Sequence, residues 1–298
     1  MKQNRWLVII LVVLLSLALT ACAMTSGRSN PSEAAPSSPT AVEFSETADR
    51  IVALSPLTAD ILGRLNATKL VGIPNSELLN ENPNLQDIET IATGRTPVNL
   101  EQVVALEPDL VIGTRGFHDQ ALRRLEELGI DTLSTEVGSW QGLRSLTRRL
   151  AEVINADPTP LLEQYETFLG NLPDRDVSAL VLVSRQPILS PNKNSWAGDL
   201  LNQFKIQNLA ADFQGQSPIS GYITLSPEKI LESNPEVLMV VEMGENTLKG
   251  FSEEPLWSQL QAVQTNRVYE FDYYGLINPG SVETIEAACT TLREVLSQ

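Results

Sequence analysis

A helix–proline–strand joint occurs twice in this chain, and its recurrence constrains the fold more than any other feature. Leu100-Glu101-Gln102-Val103-Val104-Ala105-Leu106-Glu107-Pro108-Asp109-Leu110-Val111-Ile112 lays over Pro227-Glu228-Lys229-Ile230-Leu231-Glu232-Ser233-Asn234-Pro235-Glu236-Val237-Leu238-Met239. Each copy has a Glu in a first helical turn, where an acid complements the positive end of the helix. An apolar helix face follows. Seven residues after each Glu a Pro blocks continuation of the helix, and an acid and an apolar strand come next. Glu101 and Glu228 stand 127 residues apart, about half the length of the body that carries them. Two copies imply two lobes of one architecture.

The rest of the body alternates in the same way. Ile51 to Leu54 reads as a strand, Thr58 to Leu65 as a helix, and Val71 to Ile73 as a strand. After the first joint, Gln120 to Leu128 is helical, Gly129 ends it, and Ile130 to Leu133 is a strand. Trp140 to Leu172 is nearly all helix-forming, with a restart at Asp157-Pro158-Thr159-Pro160 and a second part from Leu161 to Leu172. Val177 to Val183 is a continuous apolar run of the kind buried in a parallel sheet. Helices are predicted over Gly198 to Phe204, Pro227 to Ser233, near Trp257, and from Val282 to Leu296. Strands are predicted over Val237 to Val241 and Arg267 to Phe271. This alternation specifies an α/β fold with parallel sheets. Cys289 lies on the apolar face of the last helix and reads as a buried, inert thiol.

The first residues differ from this body. Lys2 and Arg5 precede an apolar run from Trp6 to Leu19, closed by Leu19-Thr20-Ala21-Cys22. Basic, apolar and small residues in that order make an export signal over residues 1–21. The run of about 14 residues is shorter than the roughly 20 of a spanning helix. Its end resembles the bacterial lipobox, which makes Cys22 the lipidated residue. Residues 22–47 are rich in Ser, Pro, Ala and Thr and form a flexible tether, so membrane association is by lipid anchor alone. The chain carries 37 acidic and 21 basic residues, a net charge of -16. Such a body repels phosphate backbones, so nucleic acid is not expected as a partner. One His and two Cys are too few for a zinc site, and no metal site or cofactor is expected.

With the lipobox, tether and repeated joint in view, the chain resembles the periplasmic binding proteins that deliver ferric siderophores and cobalamin to ABC importers. The segments that carry the resemblance are Arg50 to Pro56, Asn99 to Ile112, Leu225 to Val240, and Trp257 to Val263 running into Arg267-Val268-Tyr269. It covers roughly residues 48 to 296. It implies two Rossmann-like lobes, 48–156 and 175–298, joined by a single long helix within 157–174, with the ligand in the cleft between them. It implies a monomer held in the periplasm or cell envelope. It also implies that Glu101 and Glu228, one per lobe, dock the permease of the importer.

In an α/β lobe, ligands meet the loops beyond the carboxyl ends of the strands. Arg95 and Arg115 flank the first joint, Arg185 follows the strand ending at Val183, and Trp196 lies before a helix. Tyr222 precedes the second joint, and Tyr273 and Tyr274 follow the strand ending at Phe271. Guanidinium groups pair with carboxylates and catecholates, and aromatic faces pack on flat parts of a chelate. Three arginines would make a positive cleft suited to an anionic ferric siderophore. Cobalamin-binding members tend to use aromatic platforms where this chain has Arg95, Thr114 and Arg115, which favours the iron chelate. A cobalamin ligand and a bare ferric ion held by Tyr273 and Tyr274 are the alternatives. For the tyrosine pair, neighbours in an extended chain point to opposite sides unless the chain turns there. An enzyme is not expected: no nucleophile elbow, Walker loop or dinucleotide fingerprint is present, and a triad would have to use His118. A purely structural lipoprotein is the third rival.

Overall fold

Long apolar runs bounded by Pro, Gly and Asn give this chain strands buried on both faces. The computed structural model describes residues 47–92, 98–170, 172–173, 175–213, 217, 219–242 and 247–297. The leader, Cys22, nearly all of the expected tether and Arg95 lie outside these residues. The N-terminal sheet contains β1 (Ile51–Ala53), β2 (Leu70–Pro74), β3 (Thr90–Ile91), β4 (Leu110–Thr114) and β5 (Asp131–Thr135). They run parallel in the order β3-β2-β1-β4-β5. Central β1 is fully buried and wholly apolar, whereas edge strand β5 alternates buried Leu133 and Thr135 with exposed Asp131 and Ser134. Helices α1 (Pro56–Asn66), α2 (Leu100–Ala105) and α3 (Asp119–Glu127) connect these strands. Gly129 at φ +81° ends the α3 turn, as predicted.

Two helices follow, α4 (Trp140–Val153) and α5 (Thr159–Leu169). The second carries the chain across to the other lobe; its 11 residues span about 16 Å at 1.5 Å each. The C-terminal lobe contains β6 (Val177–Leu182), β7 (Ser184–Arg185), β8 (Ile188–Pro191), α6 (Trp196–Gln203), β9 (Ile206–Asn208), β10 (Tyr222–Leu225), α7 (Pro227–Ser233) and β11 (Val237–Glu242). It continues with α8 (Thr247–Ser252), α9 (Gln261–Gln264), β12 (Val268–Asp272), the kinked turn α10 (Tyr273–Leu276) and α11 (Val282–Ser297). Its main sheet is parallel, ordered β12-β11-β6-β9. A small antiparallel sheet, β10-β8-β7, lies beside it. The sequence reading missed this small sheet, and the turn at Trp257–Gln259 is 3-10 rather than α-helical.

The two joints occupy equivalent places. In each, the strand after the Pro pairs with its lobe's first strand: β4 with β1, and β11 with β6. Each helix stops at a left-handed residue just before the Pro, Glu107 at φ +48° and Asn234 at φ +37°. The acid after each Pro has a common task. Asp109 accepts hydrogen bonds from the Asp49 and Arg50 amides at 2.7 and 3.0 Å, ahead of β1. Glu236 accepts from the Ser178 amide, at the start of β6, at 2.8 Å. That amide is the main reason the Glu236 carboxyl titrates below its ordinary range.

Lobe contact goes beyond the crossing helix. Asp60 on α1 is buried; its carboxylate accepts from Arg64 Nε at 3.0 Å, Asn82 Nδ2 at 2.8 Å and the Val282 amide at 2.8 Å. It therefore caps the N-terminus of α11, a favourable place for an anion. The Trp140 amide of α4 donates to Asp199 of α6 at 2.7 Å. Tyr165 of α5 packs on Trp140 and shares a hydrogen bond with Thr147 at 3.1 Å. One apolar cluster runs from Ile51 and Leu110 through Tyr165 and Leu292 to Val181 and Phe204. Among the described residues no helix is long and apolar enough to cross a membrane.

Candidate functional site

In the N-terminal sheet the chain leaves β1 toward opposite sides, which opens a crevice beyond the carboxyl ends of β1 and β4. A cavity of about 1050 Å³ lies there, between the lobes. Ser55, Asn75, Thr114, Arg115 and Glu136, each just past or at the end of an N-terminal strand, line one wall. Gly116, at φ +81°, turns the chain after β4, and Phe117 follows at 83% exposure. Arg115 lies 3.4 Å from Glu136, and both are well exposed. Such a pair contributes about 0–1 kcal/mol, so either group can turn to a ligand at little cost. Arg124 also lines this wall.

His118 packs beneath it. Its Nδ1 accepts from the Thr114 amide at 2.9 Å, which leaves the ring proton on Nε2. Burial lowers its pKa, with Asp119 opposing weakly, so the ring is neutral at pH 7. In this tautomer the Nε2 atom is a donor rather than a metal ligand.

The opposite wall is aromatic. Trp196, Tyr222, Tyr273 and Tyr274 all line the cavity. Trp196 is the first residue of α6 rather than part of a polar loop, and it is 4% exposed. It stacks on Trp140 at 6.2 Å, and its Nε1 donates to the Gly275 carbonyl at 2.7 Å. The chain does turn at the tyrosine pair. Gly275 takes φ +98°, and a Cβ there would lie 2.1 Å from the Thr284 carbonyl oxygen, so only glycine fits. The turn sets the Tyr273 and Tyr274 rings edge to face at 5.2 Å, with both rings on the cleft. Burial, then Tyr273 beside it, pushes the Tyr222 phenol well above its ordinary range, so it stays protonated.

Of the seven predicted ligand residues the structure brings together five: Arg115, Trp196, Tyr222, Tyr273 and Tyr274. Arg95 lies outside the described residues. Arg185 is a correction. It stands on β7, where its Nη2 is 3.5 Å from Glu254, and it lines a separate pocket in the C-terminal lobe. The hairpin that carries it folds back after β6 and takes it away from the interlobe cleft. Among the described lining residues the formal charges are therefore Arg115, Arg124 and Glu136, nearly balanced rather than strongly positive. Sequence reasoning missed Phe117 and Arg124; Phe117 was within reach of the strand-end rule that selected Arg115. Among the described residues no three His, Cys, Asp or Glu side chains cluster as a metal site.

The periplasmic binding protein family profile matches residues 51–158 and 163–274, more than half of the chain. An uncharacterized ABC transporter substrate-binding lipoprotein of Bacillus subtilis (strain 168) is 24% identical over 242 residues, covering 75% of this chain and 72% of that protein. The vitamin B12-binding protein of Salmonella paratyphi A is 24% identical over 257 residues, covering 83% of this chain and 91% of that protein. The structure of a periplasmic heme-binding protein of Vibrio cholerae superposes with a TM-score of 0.65 at 20% identity, covering 82% of this chain and 98% of that one.

Proposed function

This chain belongs to the periplasmic binding protein family, and from that premise we propose that it captures a bulky metal chelate outside the cytoplasm and hands it to an ABC importer. The observation that carries the ligand class is the cleft itself. Its volume of about 1050 Å³ stands at the upper end of the roughly 300–1000 Å³ of small-molecule sites. Five aromatic side chains face it, and its described charges nearly cancel. Rings pack on flat macrocycles, and a cleft of low net charge gives a strongly anionic guest little electrostatic attraction. These features support a corrinoid, a large macrocycle decorated with neutral amides, ahead of the ferric siderophore that the arginines in the sequence suggested. The siderophore is the second reading, favoured by Arg115 and Arg124 on one wall. A bare ferric ion has little support: beside Tyr273 and Tyr274 the cleft offers one carboxylate among its described lining residues, Glu136, which already faces Arg115.

A thermal-shift and calorimetry panel of cyanocobalamin, hemin, a ferric catecholate and ferric citrate decides among these. A true ligand at 100 times its Kd raises stability by about 2.7 kcal/mol. Cyanocobalamin is expected to give the largest shift. A shift confined to the ferric catecholate would replace the corrinoid by the siderophore.

Two exposed acids support a docking role in handover. Glu101 is in the first turn of α2, capped by Asn99, and Glu228 is in the first turn of α7, capped by Ser226. Backbone and Ser226 hydrogen bonds hold the Glu228 carboxyl below its ordinary range, so it is charged at all physiological pH. One acid per lobe would register both lobes against a two-fold permease and speed encounter. Lipidation at Cys22 would hold the chain at the membrane surface while residues 22–47 give it reach.

A further inference from the structure

The C-terminal lobe has a switch point of its own. From β6 the chain goes to β9 on one side and later to β11 on the other, so strand order reverses between β6 and β11. A pocket of about 430 Å³ opens next to Leu182, the last residue of β6, among the small sheet, α7 and α8. It is separate from the interlobe cleft and shares no lining residue with it.

Its two ends differ in chemistry. The body is apolar: Leu182, Leu225, Ile230, Phe251 and Trp257 line it and are each buried, and the Phe251 and Trp257 rings stack at 6.0 Å. At the mouth stands Arg185, with a half-exposed side chain. Its guanidinium lies against the bare α-carbon of Gly250, where a Cβ would be 2.1 Å from Nη1. Glycine at that position on α8 is what lets a cation sit at the rim. Its partner Glu254 is 3.5 Å away and 49% exposed, a long surface pair that a better-placed carboxylate displaces easily.

We propose that this pocket is a second ligand site, which takes a small amphipathic carboxylate: the apolar body enters among Leu182, Ile230, Phe251 and Trp257, and the carboxylate replaces Glu254 on Arg185. The site stands independently of what the interlobe cleft binds.

The test is calorimetric titration of the purified full chain with octanoate and with octanol as probes. Octanoate is expected to bind once per chain and at least tenfold more tightly than octanol. Arg185→Gln, at a half-exposed position, is expected to weaken octanoate about tenfold and to leave octanol unchanged. Ile188→Trp, which fills the pocket from its rim strand, is expected to abolish both, with the thermal melt checking that the variant is folded. Tyr273→Ser, in the interlobe cleft, is expected to leave octanoate binding intact. Absence of saturable octanoate binding, equal affinity for octanol, an unaffected Arg185→Gln, or loss of binding in Tyr273→Ser would each overturn the assignment; the last would move the probe to the interlobe cleft.

Discussion

Replacing Asp60 by Ala is expected to loosen the junction between the lobes. The side chain is 2% exposed and accepts from three donors. Alanine leaves the Asn82 amide and the Val282 backbone N–H without an acceptor in a dry place, at about 1–3 kcal/mol each. It also removes an anion from the N-terminus of α11, worth up to about 2 kcal/mol where partly buried. Arg64, at 28% side-chain exposure, recovers water and adds little. Together these give roughly 2–8 kcal/mol. For a body of this length 1 kcal/mol moves Tm by about 2–4 °C, so a fall on the order of 10 °C is expected. Asp60→Asn keeps the shape and one accepting oxygen and should lose roughly half as much. Urea unfolding followed by circular dichroism measures both, with an unchanged m-value as the sign that the unfolded state is the same. The loss should extend to binding, because Tyr273, Tyr274 and Asn278 line the cleft on the segment that leads into Val282, which Asp60 anchors. A stability within 0.5 kcal/mol of the parent for Asp60→Ala, or equal losses for Ala and Asn, would refute the latch, since at least about 2 kcal/mol follows from the stranded donors alone.

Other outcomes follow from the same geometry. Gly275→Ala should cost at least about 2 kcal/mol, because it combines a positive φ with a clash on the Thr284 carbonyl, and chelate affinity measured by calorimetry should fall with it. Burial raises the Cys289 thiol from 9.0 to about 12; above pH 9 the unfolded chain then binds fewer protons than the folded one, so this group's contribution to stability falls by about 1.4 kcal/mol per pH unit up to pH 12, and Cys289→Ser should flatten that slope in denaturant titrations. Glu101→Gln with Glu228→Gln should leave chelate affinity at the parent level and reduce uptake into reconstituted vesicles; normal uptake, or loss of binding as well, would remove the docking role. Cys22→Ala should abolish labelling by a fatty-acid probe and release the chain from the membrane fraction, and an anchored, labelled variant would contradict the lipobox reading.

Much of the scaffold was legible because its determinants are local. Ile51 to Leu54, Leu110 to Ile112 and Val177 to Val183 are apolar on both faces, a state that only a covered parallel sheet satisfies. The repeated joint marked the equivalent strands of the two lobes. The small sheet was illegible because Ser184 and Arg185 pair only with Leu189 and Ile188 across a short turn, and Ile188 to Pro191 gain their other partners from β10, more than thirty residues on. At the site, Arg115 and the tyrosines were found by their place after strands. Arg185 obeyed the same rule and failed, because a two-residue hairpin reverses the chain straight after β6. Trp196 belongs to the helix itself, because Ser195 caps it, its side chain accepting from the Gly198 amide at 3.0 Å. The turn at Gly275 hinged on a glycine whose need is set by Thr284, a contact that no spacing rule reveals.

The carboxylates of Asp109 and Glu236 bear on how the molecule comes together. Each ties the start of its lobe's first strand to a point 58 to 60 residues later in the chain. Closing such a circuit costs chain entropy that grows only with the logarithm of its length, and the neighbouring strand then zips alongside. A parallel pair that slipped by one residue would turn its buried face outward; with the carboxylate seated on fixed amides, the in-register pairing is the one that forms. The two circuits are alike in span and share no residues. Neither closure therefore requires the other, and the link between the halves is left to the shared apolar cluster and to the Asp60 carboxylate on the first turn of α11.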